Sequence, residues 1–283
     1  MREAPTARTL PGGRLHLQHG PIDVVLRAWG EPSAVAEAYA AAFGRFRAVL
    51  DELVAELPEL RKPMAEGPRV QGLVARRMVA ACGPHRGVFV TPMAAVAGAV
   101  ADELLAAMAR AAPLSKAFVN DGGDIAVHLA EGEAMEIGVA ADFSRGPVPA
   151  LNGRVALRAG DGIGGVATSG RQGRSLSLGI ADSATALART AAAADVAATL
   201  IANAVDLPGH PAIERLPASA LDPASDLGDR PVTVSVGTLP QREVAAALAA
   251  GRVRAEAMRA GGLIRDAALS LRGQVAALGE GAA

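Results

Sequence analysis

Apolar and polar positions along the chain change their period several times, and each change marks an element. The clearest alternation is Ala117 to Leu129, AFVNDGGDIAVHL. Phe118 and Val119 lead into Asn120, Asp121, Gly122, Gly123 and Asp124, after which Ile125, Val127 and Leu129 alternate with Ala126 and His128. This predicts a β-hairpin. Its paired glycines accept positive φ and let a ligand or another backbone approach, while Asn120, Asp121 and Asp124 set short polar groups at its mouth. The plainer reading of the same residues is a solvated turn.

A helical period runs from Ser33 to about Leu57, with Ala36, Tyr39, Ala40, Phe43, Phe46, Leu50, Leu53 and Val54 on one side and Pro58 as its stop. A second helix is expected over 70–81, ended by Gly83 and Pro84, and a third over Met93 to Ala111, with Thr91 as cap and Pro92 in its first turn. Strands are expected at His16 to Leu26, Gly87 to Val90, Met135 to Ala140 (a meander with the hairpin), Arg154 to Ala159, Ser175 to Ile180 and Val232 to Val236. Ser183 to Val205 reads as one long Ala-rich helix, and Gln241 to Arg259 as a helix broken at Gly251. Asp142 to Gly153 and Leu207 to Asp229 read as irregular connections; in Leu263 to Leu278, Ile264, Ala267, Ala268, Leu271 and Val275 fit a helix, while Ala267, Leu269 and Leu271 fit a strand with a frayed end, the favoured reading.

Composition narrows the function classes. Hydrophobic residues make up 51 % of the 283 but aromatics only 2 %, so the core is built from Ala, Val, Leu and Ile with close backbone approach at the 32 glycines. Twenty-eight basic and 29 acidic residues give a formal charge of −1, which offers no field for nucleic acid or an anionic membrane, and neither is an expected partner. The N-terminal residues hold no apolar run of signal-peptide type, and the apolar stretch from Met93 to Ala112 is interrupted by Asp102 and Glu103. Cys82, the single cysteine, excludes an internal disulfide and reads as a buried, inert thiol. The expected compartment is the cytoplasm, and the oligomeric state stays open, a homo-oligomer included.

Three stretches carry candidate chemistry. His16 and His19 lack a third ligand and the spacing of one helical face, so a solvated strand end is the expectation there. Gly160, Gly162 and Gly165 match the dinucleotide fingerprint literally, with Asp182 beyond; the match fails in context, because Val166 to Arg174 has no apolar helical face. The same loop offers Thr168, Ser169, Arg171 and Arg174 as phosphate-binding groups. Asp195 and Thr199, four residues apart, share one helical face and form a hard oxygen pair of the kind Mg²⁺ uses with phosphate oxygens and water; a local side-chain hydrogen bond is the alternative.

Four motifs, taken together and in order, resemble the ApbE superfamily of FAD:protein FMN transferases, once labelled thiamine-biosynthesis lipoproteins. Val96 to Asp102 (VAGAVAD) is similar to its Ala-Lys-Gly-x-x-x-Asp helix, Asn120 to Asp124 (NDGGD) to its Asn-x-Gly-Gly-acid turn, Val166 to Gly170 (VATSG) to its Ala-Thr-Ser-Gly segment, and Ala194 to Thr199 (ADVAAT) to its Ala-Asp-x-x-x-Thr helix. The chain looks closest to a shorter branch of that superfamily whose function is unassigned. The family lysine falls on Ala97, and the histidine of the His-Ile-Ile-Asp-Pro segment on Gly179 (GIADS, Gly179 to Ser183); no lipobox cysteine stands near the start.

The resemblance implies a mixed α/β (α+β) fold of largely antiparallel sheets with Ala-rich helices packed against them, as a single domain over 1–283 or two intimately packed sub-domains. It further implies FAD or a related nucleotide as cofactor, near Asn120, Asp121, Gly122, Gly123, Asp124, Thr168, Ser169, Gly170 and Arg171, with Mg²⁺ at Asp195 and Thr199. No residue is assigned as catalytic. The implied activity is a Mg-dependent, flavin-nucleotide-using transferase or hydrolase in a cytoplasmic biosynthetic step, related to sulfur or homocysteine metabolism, and not a standard flavin transferase. The alternatives are a non-catalytic flavin- or nucleotide-binding module for a partner protein and a purely structural role.

Overall fold

The computed structural model describes residues 4–142, 150–173 and 175–278. It opens with an antiparallel meander of β1 (Thr6–Leu10), β2 (Arg14–His19) and β3 (Ile22–Trp29), so the stretch read as one strand after His16 holds two. Helix α1 (Pro32–Ala55) buries Ala34, Ala38, Ala42, Phe46, Val49, Leu50 and Leu53 at helical spacing. It ends before Pro58, which sits instead in the first turn of the short α2 (Leu57–Leu60), where its missing N–H is not needed. Helix α3 (Leu73–Cys82) starts later than expected, because Glu56 accepts the N–H groups of Gln71 and Gly72 (both 2.6 Å) and holds the entry extended.

Residues 87–90 form no strand; a 3₁₀ turn, Pro92–Ala95, follows and leads into α4 (Val96–Ala111). The hairpin is present as β4 (Lys116–Asp121) and β5 (Asp124–Leu129), with Asp121 opposite Asp124 and φ of +64° and +117° at Gly122 and Gly123. Strand β6 (Ala134–Asp142) does not continue it into a meander but pairs with β7 (Ala150–Arg158), while β8 (Gly165–Ser169) lies beside β5. Most of the connection expected between Asp142 and Gly153 lies outside the described residues. No helix opens at Gly165, in keeping with the rejected fingerprint, and Ser175 to Ile180 is not a strand.

The largest departure is at Ser183 to Val205, which is strand β9 (Ser183–Ala188) followed by helix α5 (Ala191–Ala204). Alanine favours helix by itself, but all six side chains of β9 are buried and its backbone pairs with β12 (Asp266–Leu271), so tertiary pairing overrides propensity. The connection after α5 contains β10 (Ile213–Pro217) and α6 (Ala218–Leu221), and β10 pairs with β11 (Pro231–Val236). Helix α7 (Gln241–Ala260) is continuous through Gly251, and β12 turns through Arg272 and Gly273 into β13 (Gln274–Ala277), not a frayed end.

The chain divides into two compact units. The first takes the described residues of 1–135, 157–167 and 188–196; the second takes those of 136–156, 168–187 and 197–283. In the first, strands follow the order β1-β2-β3-β4-β5-β8; α1 packs on β2 and β3, and α4 on β4, β5, α1 and α3. The covered sheet face is Leu17, Val24, Leu26, Ala28, Ala117, Val119 and Ala126. The stretch Pro92–Ala111 is, among the described residues, long and apolar enough by composition to cross a membrane; more than half of it is buried against these elements. In the second unit, β9, β12 and β13 are neighbours, and α7 packs on β12 and β13.

Two glycines show how an aromatic-poor core closes. At Gly98 of α4 a Cβ would lie 2.3 Å from the Ala191 carbonyl oxygen and 2.6 Å from the Ala192 nitrogen, whereas at Gly251 of α7 it would lie 2.3 Å from Val205 Cγ2 and 2.6 Å from Leu269 Cδ2. Side-chain atoms can move; backbone at a helix start cannot. Gly98→Ala is therefore expected to destabilise by ~3 kcal/mol or more despite its better helix propensity, and Gly251→Ala clearly less. Urea midpoints of the two variants test this ranking.

Candidate functional site

In the first unit, α4 and the start of α5 are joined by two carboxylates. Asp195 of α5 accepts the N–H of Gly98 (3.0 Å) and that of Ala97, both in the first turn of α4, which has no side-chain cap of its own. Asp102 of α4 accepts the N–H groups of Ala191 and Ala192 (both 2.9 Å) in the first turn of α5, and Thr190 Oγ1 accepts that of Ala193 at 3.2 Å. Each helix thus caps the other's positive end. The partner of Asp195 is non-local, not the hydrogen bond within one helix that the spacing allows.

The charge around Asp195 is unfavourable. Burial pushes its carboxyl well above the usual carboxylate range, Asp124 and Asp121 at the hairpin mouth push it further, and the amides of Gly98 and Ala97 only partly offset this. Asp121 is buried, and Asn120 Oδ1 accepts the Gly123 N–H (2.8 Å), which locks the glycine turn. Burial also raises Asp102 against its two amides and Arg77. Next to it, Glu103 is 1 % exposed; burial opposes its ionisation, yet Arg45 Nε (2.9 Å) and Arg77 Nε (3.0 Å) hold it below the usual range. The Cys82 thiol is buried against the Thr91 carbonyl, and burial, then Asp195, raise it far out of the reactive range.

In the second unit the glycine loop is tied down. Thr168 Oγ1 bonds Thr185 Oγ1 (2.8 Å), half-buried Ser169 ends β8, and Gly170 faces backbone, its Cβ position being 2.4 Å from the Asp182 carbonyl oxygen. Arg171 places Nε (3.1 Å) and Nη2 (2.8 Å) on Asp182 Oδ1. Arg174 lies outside the described residues. Thr199 stands one helical turn beyond Asp195 on α5. At Gly179 a Cβ would lie 2.2 Å from the Ala202 carbonyl oxygen and 2.8 Å from Asn203 Cα.

The structure therefore gathers Asp121, Asp124 and Asp195 in one unit and Thr168 to Arg171 in the other. Among the described residues, no three His, Cys, Asp or Glu side chains are arranged as a metal cage. His16 Nε2 lies 3.0 Å from Asp23, and His128 Nε2 lies 3.2 Å from the Leu114 carbonyl oxygen. Sequence reasoning missed the roles of Gly98, Asp102 and Asp182. Asp102 is legible only as part of a motif, and Asp182 only as the acid of a fingerprint that fails and as a member of the GIADS segment.

With this geometry in view, the comparisons place the chain. The family described as AbpE bacteria matches residues 7–277, and the chain belongs to it. It is similar to the UPF0280 protein of Methanopyrus kandleri, 34 % identical over 184 residues (64 % of this chain, 69 % of that protein). The UPF0280 protein of Methanothrix thermoacetophila is 42 % identical over 117 residues, 41 % of this chain and 46 % of that protein, so that match spans less than half the relative's length. Among solved structures, the ApbE protein of Thermotoga maritima is 13 % identical over 96 % of both chains with a TM-score of 0.45. The Pseudomonas stutzeri flavinyl transferase ApbE is 13 % identical over 98 % of this chain and 95 % of that one, with a TM-score of 0.39.

The raised Asp195 carboxyl sets a pH dependence with a definite sign. A group whose folded pKa exceeds its unfolded value destabilises the fold once ionised, so stability falls as pH rises from about 4, the unfolded aspartate value, toward the folded one. Asp195→Asn keeps an acceptor for the Gly98 amide and removes the repulsion. The variant should match the parent near pH 3.5 and exceed it in urea midpoint at pH 7 without added cation.

Proposed function

We propose that the protein binds FAD or a related nucleotide together with Mg²⁺ and uses it in a cytoplasmic biosynthetic step, as a Mg-dependent transferase or hydrolase distinct from the standard flavin transferases. The observation that carries this is the Asp195 carboxyl, half-buried where it accepts the Gly98 and Ala97 amides, its ionisation opposed by burial and by Asp124 and Asp121. Capping α4 needs one carboxylate; the two further acidic groups at the hairpin mouth serve a cation better than they serve a helix end.

The donor set suits Mg²⁺, which keeps water and takes one or two carboxylates plus substrate phosphate rather than a protein-only cage. In this reading Asp195 would hold the ion, and the Asn120 to Asp124 turn, free of side chain at Gly122 and Gly123, would permit close approach. Separately, the amides, hydroxyls and guanidinium of Thr168 to Arg171 are the phosphate-side groups. When bound, Mg²⁺ would supply charge neutralisation on a phosphate group. Family membership supports the nucleotide class.

Calorimetric titration with FAD should show heat only, or far more strongly, with Mg²⁺ present, and Asp195→Asn should abolish the metal dependence while retaining the fold. Silence toward FAD, FMN and ADP with and without Mg²⁺ would end the nucleotide reading. Because few protein oxygens hold a hydrated Mg²⁺ weakly without a phosphate partner, Mg²⁺ alone should raise thermal stability much less than Mg²⁺ with FAD.

A non-catalytic holder of the same nucleotide is the second reading, favoured by positions 97 and 179. Transfer to a protein hydroxyl needs a positioned base, worth ~10²–10⁴-fold. Position 179 has no room for a side chain, since backbone of 202–203 fills it, and position 97 is an alanine whose N–H is spent on Asp195. With FAD, Mg²⁺ and an ApbE acceptor protein, no covalently fluorescent acceptor band is expected, and Gly179→His should create none. A band that vanishes in His128→Ala would instead reveal a relocated base.

A further inference from the structure

The Thr168 to Arg171 loop is held by a network centred on Asp182, the acid of the GIADS segment. Asp182 divides its carboxylate: Oδ1 receives Arg171 Nε (3.1 Å) and Nη2 (2.8 Å), and Oδ2 receives the main-chain N–H of Arg272 (2.5 Å). The backbone is pinned as well, the Arg171 N–H donating to the Ala181 carbonyl at 2.9 Å and the Asp182 N–H to that of Ser270 at 2.9 Å. All of these residues belong to the second unit.

Arg272 is the unusual member. Among the described residues it is the one non-glycine at positive φ, +50°, in a tight turn completed by Gly273 at +78°. Glycine would satisfy this turn without strain; an arginine persists there only when its surroundings over-determine it. They do. Beyond its N–H on Asp182, its Nη2 donates to the carbonyls of Val236 and Gly237, the latter at 2.8 Å. The turn and the glycine loop are thereby fixed to one another through the Asp182 carboxylate, and the turn to the end of β11 through the Arg272 guanidinium.

The consequence falls on Arg171. Asp182 engages its Nε and Nη2 and leaves Nη1 outside the pair, while the two side chains keep 22 % and 14 % exposure, so a dissolved anion can reach the guanidinium. A fork oriented in advance loses less freedom on taking a phosphate oxygen. We propose that Asp182 and Arg272 are positioning residues that present Arg171 to an oxyanion of a phosphate-bearing ligand; this rests on the nucleotide reading above.

The test is calorimetric titration of the full chain with inorganic pyrophosphate and Mg²⁺. Asp182→Asn and Arg171→Lys should each weaken binding about 10-fold, and the double variant no more than Arg171→Lys alone, since the first change acts through the second residue. Arg272→Gly keeps the left-handed backbone and the N–H but loses the guanidinium bonds; it should weaken binding about 3-fold with an unchanged or higher thermal midpoint, and it carries the test if Asp182→Asn does not fold. Wild-type affinity in Asp182→Asn, or losses that multiply in the double variant, would overturn the positioning role while leaving the nucleotide reading intact. A parent protein that binds neither pyrophosphate nor FAD would overturn both.

Discussion

The first unit depends on a reciprocal exchange between two helix starts. Asp195 satisfies first-turn amides of α4, and Asp102 satisfies first-turn amides of α5. Neither helix could present its N-terminus to the interior otherwise, because the free amides there carry partial positive charge and must meet an acceptor. The exchange works only at very short range, and Gly98 and Gly165 provide it: a Cβ at Gly165 would lie 2.2 Å from the Ala191 nitrogen. The motif residues Gly98, Asp102 and Asp195 are thus one mechanical unit before they are anything else.

That double duty gives the site its character. A carboxylate held by neutral amides is stable as a cap, but Asp195 also lies within the field of Asp124 and Asp121, carried in by the β4–β5 hairpin. The fold tolerates this crowding; it does not require it.

The second unit solves a different problem with the same economy of side chains. Gly170 and Gly179 both face main chain closely enough to exclude any Cβ, so the segments around them follow one path. At Gly170 that path leads to Arg171 and its carboxylate partner Asp182. At Gly179 the main chain of residues 202–203 leaves no room for a side chain.

Much of the fold was legible in the chain itself. Alternation marked the β4–β5 hairpin, helical period marked α1 and α3, Thr91 and Pro92 marked the approach to α4, and the lack of a helical face after Gly165 argued against the glycine fingerprint there. Asp195 and the acidic hairpin mouth stood out because short-range chemistry, glycine pairs and i,i+4 spacing, is written locally. What only the tertiary structure decided were matters of partnership. Ser183 to Ala188 is helix by composition and strand by pairing; β6 leaves the hairpin for β7; Gly251 is a contact and not a break. Asp102, Asp182 and Arg272 take their roles from amides and guanidinium groups up to 90 residues away in the chain. No local pattern can encode such partners, because a carboxylate's role is set by which backbone the fold brings within 3 Å of it.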